Sequence, residues 1–352
     1  MVMTTPPEDE TRTGQSRTRL VIDTDGGVDD AVALLYALAR PEVDVLAVTC
    51  VVGNVDVERA ARTIRALLDL AGAKDTPVAT GTAQPLRGAR ALNRWYGDHG
   101  TGYAKLADST GPVDPHGVET IVRLARQHPG ELNLLALGPL TNVAAAVLVE
   151  PELPRLLRSA VVMGGAYTVP GNEGARSEFN IDVDPEAARI VLQAWEHADG
   201  AIPLTLVGLD VTQQASLSTS DVASLIRAAG VEYSEEDAAT LSGEVAHPLC
   251  QFLLDGLRHA CESAERTGGE YAAVLHDALA AVALVEPQVI STRATTVDVE
   301  IAGTLTRGET VADWFGTWGR RPNAEVALGC DVDHFRNQLT ASLAKLLSSA
   351  TG

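Results

Sequence analysis

Lysine is nearly missing from this chain of 352 residues: Lys74, Lys105 and Lys345 are the only ones. Positive charge rests on arginine, and even so the formal net charge is −20 at pH 7. A chain this acidic, without a basic stripe, offers nothing to a phosphate backbone or an anionic lipid surface. Neither nucleic acid nor membrane is therefore expected as a partner. Long apolar runs are also lacking, which removes a spanning helix. Residues 1–18 have no apolar signal core and read as a polar, disordered tail, leaving 19–352 as one folded domain. Cys50, Cys250, Cys261 and Cys330 stand far apart with no Cys-x-x-Cys pair. That excludes a zinc site and a disulfide framework, and fits free thiols in a reducing, cytoplasmic compartment.

What is present is an alternation of short apolar runs and longer amphipathic ones, in a chain that is 45% hydrophobic. Strands are expected over 19–23, 43–51, 132–137, 159–163 and 203–207, each nearly all apolar, as parallel strands covered on both faces are. Helical patterns fall between them at 29–39, 55–71, 117–127, 140–148 and 185–197. This order predicts an α/β fold: a single doubly wound, mostly parallel open sheet flanked by helices. Ligands of such sheets bind beyond the carboxyl ends of the strands. Gly138-Pro139 and Asp184-Pro185-Glu186 supply helix-start chemistry, with proline suited to the first turn. The stretch 215–270 reads as a mostly helical insertion. Extended segments at 297–302 and 324–328 and a helix near 333–348 close the chain.

The first strand ends in LVIDTDGGVDD (20–30), which packs Asp23, Asp25, Asp29 and Asp30 into eight positions. Like charges that close repel unless a cation or shared protons hold them. One capping aspartate would be ordinary; four are not. A calcium loop of the EF-hand type needs a preceding helix and a glutamate where Leu34 stands, so it is excluded. An aspartate-loop phosphatase of the haloacid dehalogenase type remains an alternative, since Asp23-Thr24-Asp25-Gly26-Gly27 looks like its opening. That chemistry wants a lysine against the phosphate, and none of the three lysines has a suitable neighbourhood. The third reading puts Asp25 and Asp30 on one divalent ion and Asp29 toward a ligand, because consecutive residues on a first helical turn point about 100° apart. All-oxygen ligation points to Ca²⁺, with Mg²⁺ second.

Four further stretches accompany this loop in order: VVGN (51–54), LALGPLTN (135–142), VVMGGAYTVPGNEGARSEFNIDVDPEAA (161–188) and LHDALAA (275–281). Each alone has an ordinary structural explanation. Together they closely resemble the inosine-uridine-preferring nucleoside hydrolases, from about residue 19 to the C-terminus and including GTLTRGETVADW (303–314). The resemblance covers the opening motif of that family except that Gly26 replaces a proline. It implies hydrolysis of the N-glycosidic bond of ribonucleosides to free base and ribose, a Ca²⁺ cofactor, and a homodimer or homotetramer. By the same resemblance Asp25 is the general base and a metal ligand, beside Asp30, Asp277 and the Leu137 carbonyl. Asp29, Asn172, Glu178 and Asn180 would bind ribose, Met163 would pack on the sugar, and Asn54 would orient the carboxylates. His276 would protonate the leaving base, and His99, in the loop 93–104, would reach the substrate. The base-facing wall is expected from that loop and from 245–270, where His247, Phe252 and His259 occur but form no aromatic pattern that can be mapped to a base. A catalytically silent nucleoside- or ribose-binding protein stays open as a further alternative.

The residue types suit the chemistry the resemblance implies. An N-ribosidic bond breaks through an oxocarbenium-like sugar, so a water must be activated, the ring hydroxyls held and the leaving base neutralised. Clustered carboxylates stabilise developing positive charge on the sugar, whereas a phosphate would be repelled.

Overall fold

The computed structural model describes residues 17–88, 95–97 and 99–349. The expected tail lies outside the described residues except for its end, which requires a correction. Thr18 already pairs with Val43 in the sheet, its N–H donating to Glu42 O at 2.7 Å, and Arg17 donates to Val43 O at 2.9 Å.

The first half of the chain alternates as its apolar periodicity predicts. It runs β1 (Thr18–Thr24), α1 (Val28–Ala39), β2 (Val43–Cys50), α2 (Val57–Leu70), β3 (Val78–Thr80), α3 (Gly117–Gln127) and β4 (Leu132–Ala136). Next come α4 (Thr141–Val149), α5 (Leu153–Leu156), β5 (Leu157–Met163), α6 (Phe179–Val183), α7 (Pro185–His197), β6 (Leu204–Val207) and α8 (Leu209–Thr212). The expected helical insertion is opened and closed by strands: β7 (Ser216–Ser218), α9 (Thr219–Ala228), α10 (Glu235–Thr240), α11 (Pro248–Arg266) and β8 (Ala272–Val274). The chain ends with α12 (His276–Val285), β9 (Ile290–Thr295), β10 (Val297–Val299), β11 (Thr310–Ala312), β12 (Ala324–Cys330) and α13 (Val332–Ser349).

Eight strands form the main sheet in the order β3-β2-β1-β4-β5-β6-β12-β9, and only β9 runs antiparallel to its neighbour. Side chains of β1 show how it is covered: Leu20 and Ile22 enter one apolar core and Val21 the other, as period-two alternation requires. Burying such a side chain contributes about 1.5–3 kcal/mol, which fixes the strand in register. The strand order reverses between β1 and β4, so their carboxyl ends diverge there and open a crevice. No helix among the described residues is long and apolar enough to cross a membrane.

Candidate active site

The crevice holds a cavity of about 770 Å³. Its floor is made where four strands end and a helix begins: Asp25 follows β1, Asn54 follows β2, Leu137 follows β4, Met163 closes β5, and His276 and Asp277 open α12. Asp29 comes from the first turn of α1, where unpaired N–H groups favour carboxylates. Among the described residues the lining includes Asp25, Asp29, Glu178, Glu270 and Asp277 and no lysine or arginine. Among the described residues, then, the lining offers no basic side chain to a phosphate ester.

Asp25 is gripped from one side. The Asn54 N–H donates to Oδ2 at 2.7 Å, and Asn54 Nδ2 donates to Oδ1 at 3.0 Å. The VVGN turn must come very close to do this: a Cβ on Gly53 would stand 1.9 Å from Asp25 Oδ2. Only glycine permits that approach. Gly26, after Asp25, has φ +81° and faces Ala60 of α2 at 3.1 Å from its would-be Cβ. The turn here is therefore one that proline, locked near −65°, cannot adopt.

Asp30 accepts from the Thr24 hydroxyl and from Gly27 N–H at 2.8 Å. Asp29 accepts from the Tyr96 hydroxyl and from the Asp277 N–H. Oxygens of Asp29, Asp30 and Asp277 all lie within 4.8 Å of one another, and all three residues are buried. Asp277 is in hydrogen-bond contact with Asp30. Two carboxyl groups reach such contact only with a proton or a cation between them. Burial, then repulsion from neighbouring aspartates, pushes Asp25 and Asp277 well above the usual carboxylate range and Asp29 to about 7. The donor set is all oxygen and buried, with no basic partner among the described residues, and it fits a hard divalent cation. The triad differs in one member from the expected set: Asp29 is in it, and Asp25 stands beside it on Asn54. Leu137 O accepts from Asn180 Nδ2 at 2.7 Å, and a carbonyl retains a second lone pair.

The other expected residues divide clearly. Glu178 caps α6 and accepts from Asn180 N–H at 2.9 Å, Gly165 N–H at 3.0 Å and Ile181 N–H at 3.2 Å. Burial raises its pKa against those three donors. Asn180 also reaches Met163 O at 3.2 Å, and both residues line the cavity. Asn172 lies at the exposed rim, its Oδ1 accepting from Phe179 N–H at 2.9 Å. His276 lines the cavity with Nδ1 2.7 Å from Thr212 Oγ1, and burial lowers its pKa to about 4. The ring is therefore neutral at pH 7, a hydrogen-bond donor and not a preformed acid.

One expectation needs correction. His99 does not reach the cavity; it is exposed over α2, with Nδ1 3.0 Å from Arg59 Nη1. Its loop instead contributes Trp95 and Tyr96 to the cavity, while residues 89–94 and 98 lie outside the described residues. The 245–270 stretch lines the cavity as expected, through Ala260, Ser263, Ala264 and the run from Thr267 to Glu270. His247 caps α11, Phe252 is buried in the core, and His259 packs under Tyr103 at 4.9 Å between ring centroids. Sequence reasoning also missed Phe179 and Gln213 on the wall. The signal available was scarcity: with aromatics at 4% of the chain, Trp95-Tyr96 in a glycine-rich loop is unusual.

Comparison with known proteins agrees with this geometry. The family model of the inosine-uridine preferring nucleoside hydrolases matches residues 20–337. An inosine-uridine preferring nucleoside hydrolase of Leishmania major is 34% identical over 322 residues, covering 90% of this chain and 94% of its own. A pyrimidine-specific ribonucleoside hydrolase of Citrobacter koseri is 36% identical over 327 residues, covering 92% and 97%. The solved purine-preferring ribonucleoside hydrolase from Gardnerella vaginalis superposes with a TM-score of 0.82 at 29% identity, over 94% of this chain and 99% of that one. With the ordered motifs, the switch-point cavity and these relatives in agreement, the chain belongs to the inosine-uridine preferring nucleoside hydrolase family and is an N-glycosidic bond hydrolase.

Proposed function

We propose that the chain hydrolyses ribonucleosides to base and ribose with Asp25 as general base and Ca²⁺ as cofactor. The observation that carries this reading is the buried carboxylate cluster at the cavity floor, where Asp25, Asp29 and Asp277 line the cavity and Asp30 stands against Asp29 and Asp277. In the proposed assignment Asp30, Asp277, Asp25 and the Leu137 carbonyl hold the ion. So many protein oxygens suit Ca²⁺ better than Mg²⁺, which retains most of its waters. When bound, such an ion supplies Lewis acidity that makes a nearby water easier to deprotonate.

The remaining work belongs to the chain's own residues. Asp25, held by two Asn54 donors, takes the proton from the attacking water. Asp29, Glu178, Asn180 and Asn172 grip the ribose hydroxyls and hold the ring in its reactive shape. Met163 supplies the apolar floor under the sugar. The C1′–N bond breaks with its electron pair passing to the base, and His276 meets that charge with an N–H. Trp95, Tyr96 and Phe179 offer flat apolar surface for the base. The relatives named above include purine- and pyrimidine-preferring enzymes, so a ribonucleoside of either base class is the substrate class proposed.

Asp25→Asn keeps the size of the side chain and removes the proton acceptor. Base release from inosine and uridine should fall by at least ~10²-fold. Turnover like that of the unaltered enzyme would take Asp25 out of the role.

A further inference from the structure

His276 can serve a departing base only if its free ring edge faces the cavity and carries hydrogen there. Its other edge is committed: Nδ1 lies 2.7 Å from Thr212 Oγ1. Thr212 is fully buried, at the end of α8, and does not line the cavity. Among the described residues its hydroxyl has no other hydrogen-bond partner. Were Nδ1 the donor, the hydroxyl hydrogen would be buried without an acceptor, at a cost comparable to a lost hydrogen bond. The contact is satisfied only with O–H donating to Nδ1, which leaves the ring hydrogen on Nε2.

The frame around this contact is fixed from both sides. Asp210, within α8, accepts from Tyr167 N–H at 2.9 Å, Thr168 N–H at 2.7 Å and the Thr168 hydroxyl at 2.6 Å. Leu209 N–H donates to Gly165 O at 2.9 Å, so α8 is pinned to the loop after β5. On the other side Leu275 N–H donates to Ala215 O at 2.8 Å, continuing the β7–β8 ladder into the first turn of α12. Two residues 64 positions apart are thus brought together by separate anchors.

We infer that Thr212 is a positioning residue for the leaving-group step: its hydroxyl fixes the tautomer and ring orientation of His276 so that Nε2–H points at the departing base. This rests on His276 acting on the leaving base. Thr212→Val keeps the branched shape and removes the donor; Thr212→Ser keeps the donor. Each is compared with His276→Ala on inosine, uridine and nitrophenyl riboside, whose leaving group needs no such hydrogen bond.

Thr212→Val should lower kcat on inosine and uridine by roughly 10–10²-fold with KM little changed, the scale of a displaced catalytic group. Nitrophenyl riboside should be cleaved within about threefold of the unaltered rate, and Thr212→Ser should recover both nucleoside rates. In a His276→Ala background the valine substitution should have no further effect. Equal losses on all three substrates, or a full further loss in the His276→Ala background, would overturn the inference. If His276→Ala itself affects all three substrates equally, the leaving-group role fails first and Thr212 with it. Thr212→Ala stands in should the valine variant not fold.

Discussion

Replacing Gly26 by proline, the residue the family resemblance leads one to expect there, should destabilise this protein. Gly26 has φ +81°, and proline is confined near −65°, so the turn must rearrange. Backbone held in a disfavoured region costs about 1–3 kcal/mol. The substitution also removes the Gly26 N–H that donates to Thr24 Oγ1 at 3.1 Å, about 1 kcal/mol more. The total is roughly 2–4 kcal/mol. For 352 residues the unfolding entropy is about 0.7 kcal/mol/K, so Tm should fall by roughly 3–6 °C in a calorimetric scan. A proline compatible with the turn would instead raise stability by about 0.4–1 kcal/mol through the unfolded chain. The two outcomes differ in sign. An unchanged or higher Tm would refute the geometry assigned to the turn. Because Gly26 adjoins Asp25, the affinity for Ca²⁺ should drop along with Tm.

Two further outcomes follow from the carboxylate cluster. Asp29 has a folded-state pKa raised to about 7, so its contribution in the metal-free protein is present below its ordinary pKa and lost as pH rises toward 7. Protons therefore compete with the cation, and the rise in Tm on adding Ca²⁺ should grow between about pH 5 and about pH 8; a rise independent of pH would contradict this. Asn54→Ala removes the 3.0 Å side-chain bond to Asp25 but leaves the 2.7 Å backbone bond. Steady-state kinetics should show a loss of roughly 10–10²-fold, smaller than that of Asp25→Asn, and an unaffected rate would show that Asn54 does not orient the base.

The helices 117–127 and 185–197 are legible to the residue because apolar periodicity marks both, and Asp184-Pro185-Glu186 marks the start of the second. Four strands escaped for physical reasons. β3 has only three residues, and β9 is an edge strand whose Ser291–Ala294 stretch is exposed and so has no apolar run to find. The β7–β8 pair hid inside a helical region because its two strands are far apart in sequence. In the site, residues fixed by backbone turns were readable from motif order: Asp25, Asn54, Glu178 and Asp277. Residues that depend on where a loop or helix face points were not. His99 turns outward while Tyr96, three positions earlier, turns in, and α11 presents Ser263 in place of His259. Gly26 was visible as a departure from the family pattern, but its positive φ, which proline cannot adopt, needed coordinates.

The central claim is that the buried aspartates exist to hold a hard divalent cation without which the N-glycosidic bond is not cleaved. It is tested most directly by assaying base release from inosine and uridine in enzyme stripped with a chelator, before and after Ca²⁺ is restored. The account predicts that activity is lost in the stripped enzyme, returns with Ca²⁺, and does not return when Asp277 is replaced by asparagine. Full turnover in the stripped enzyme would contradict it.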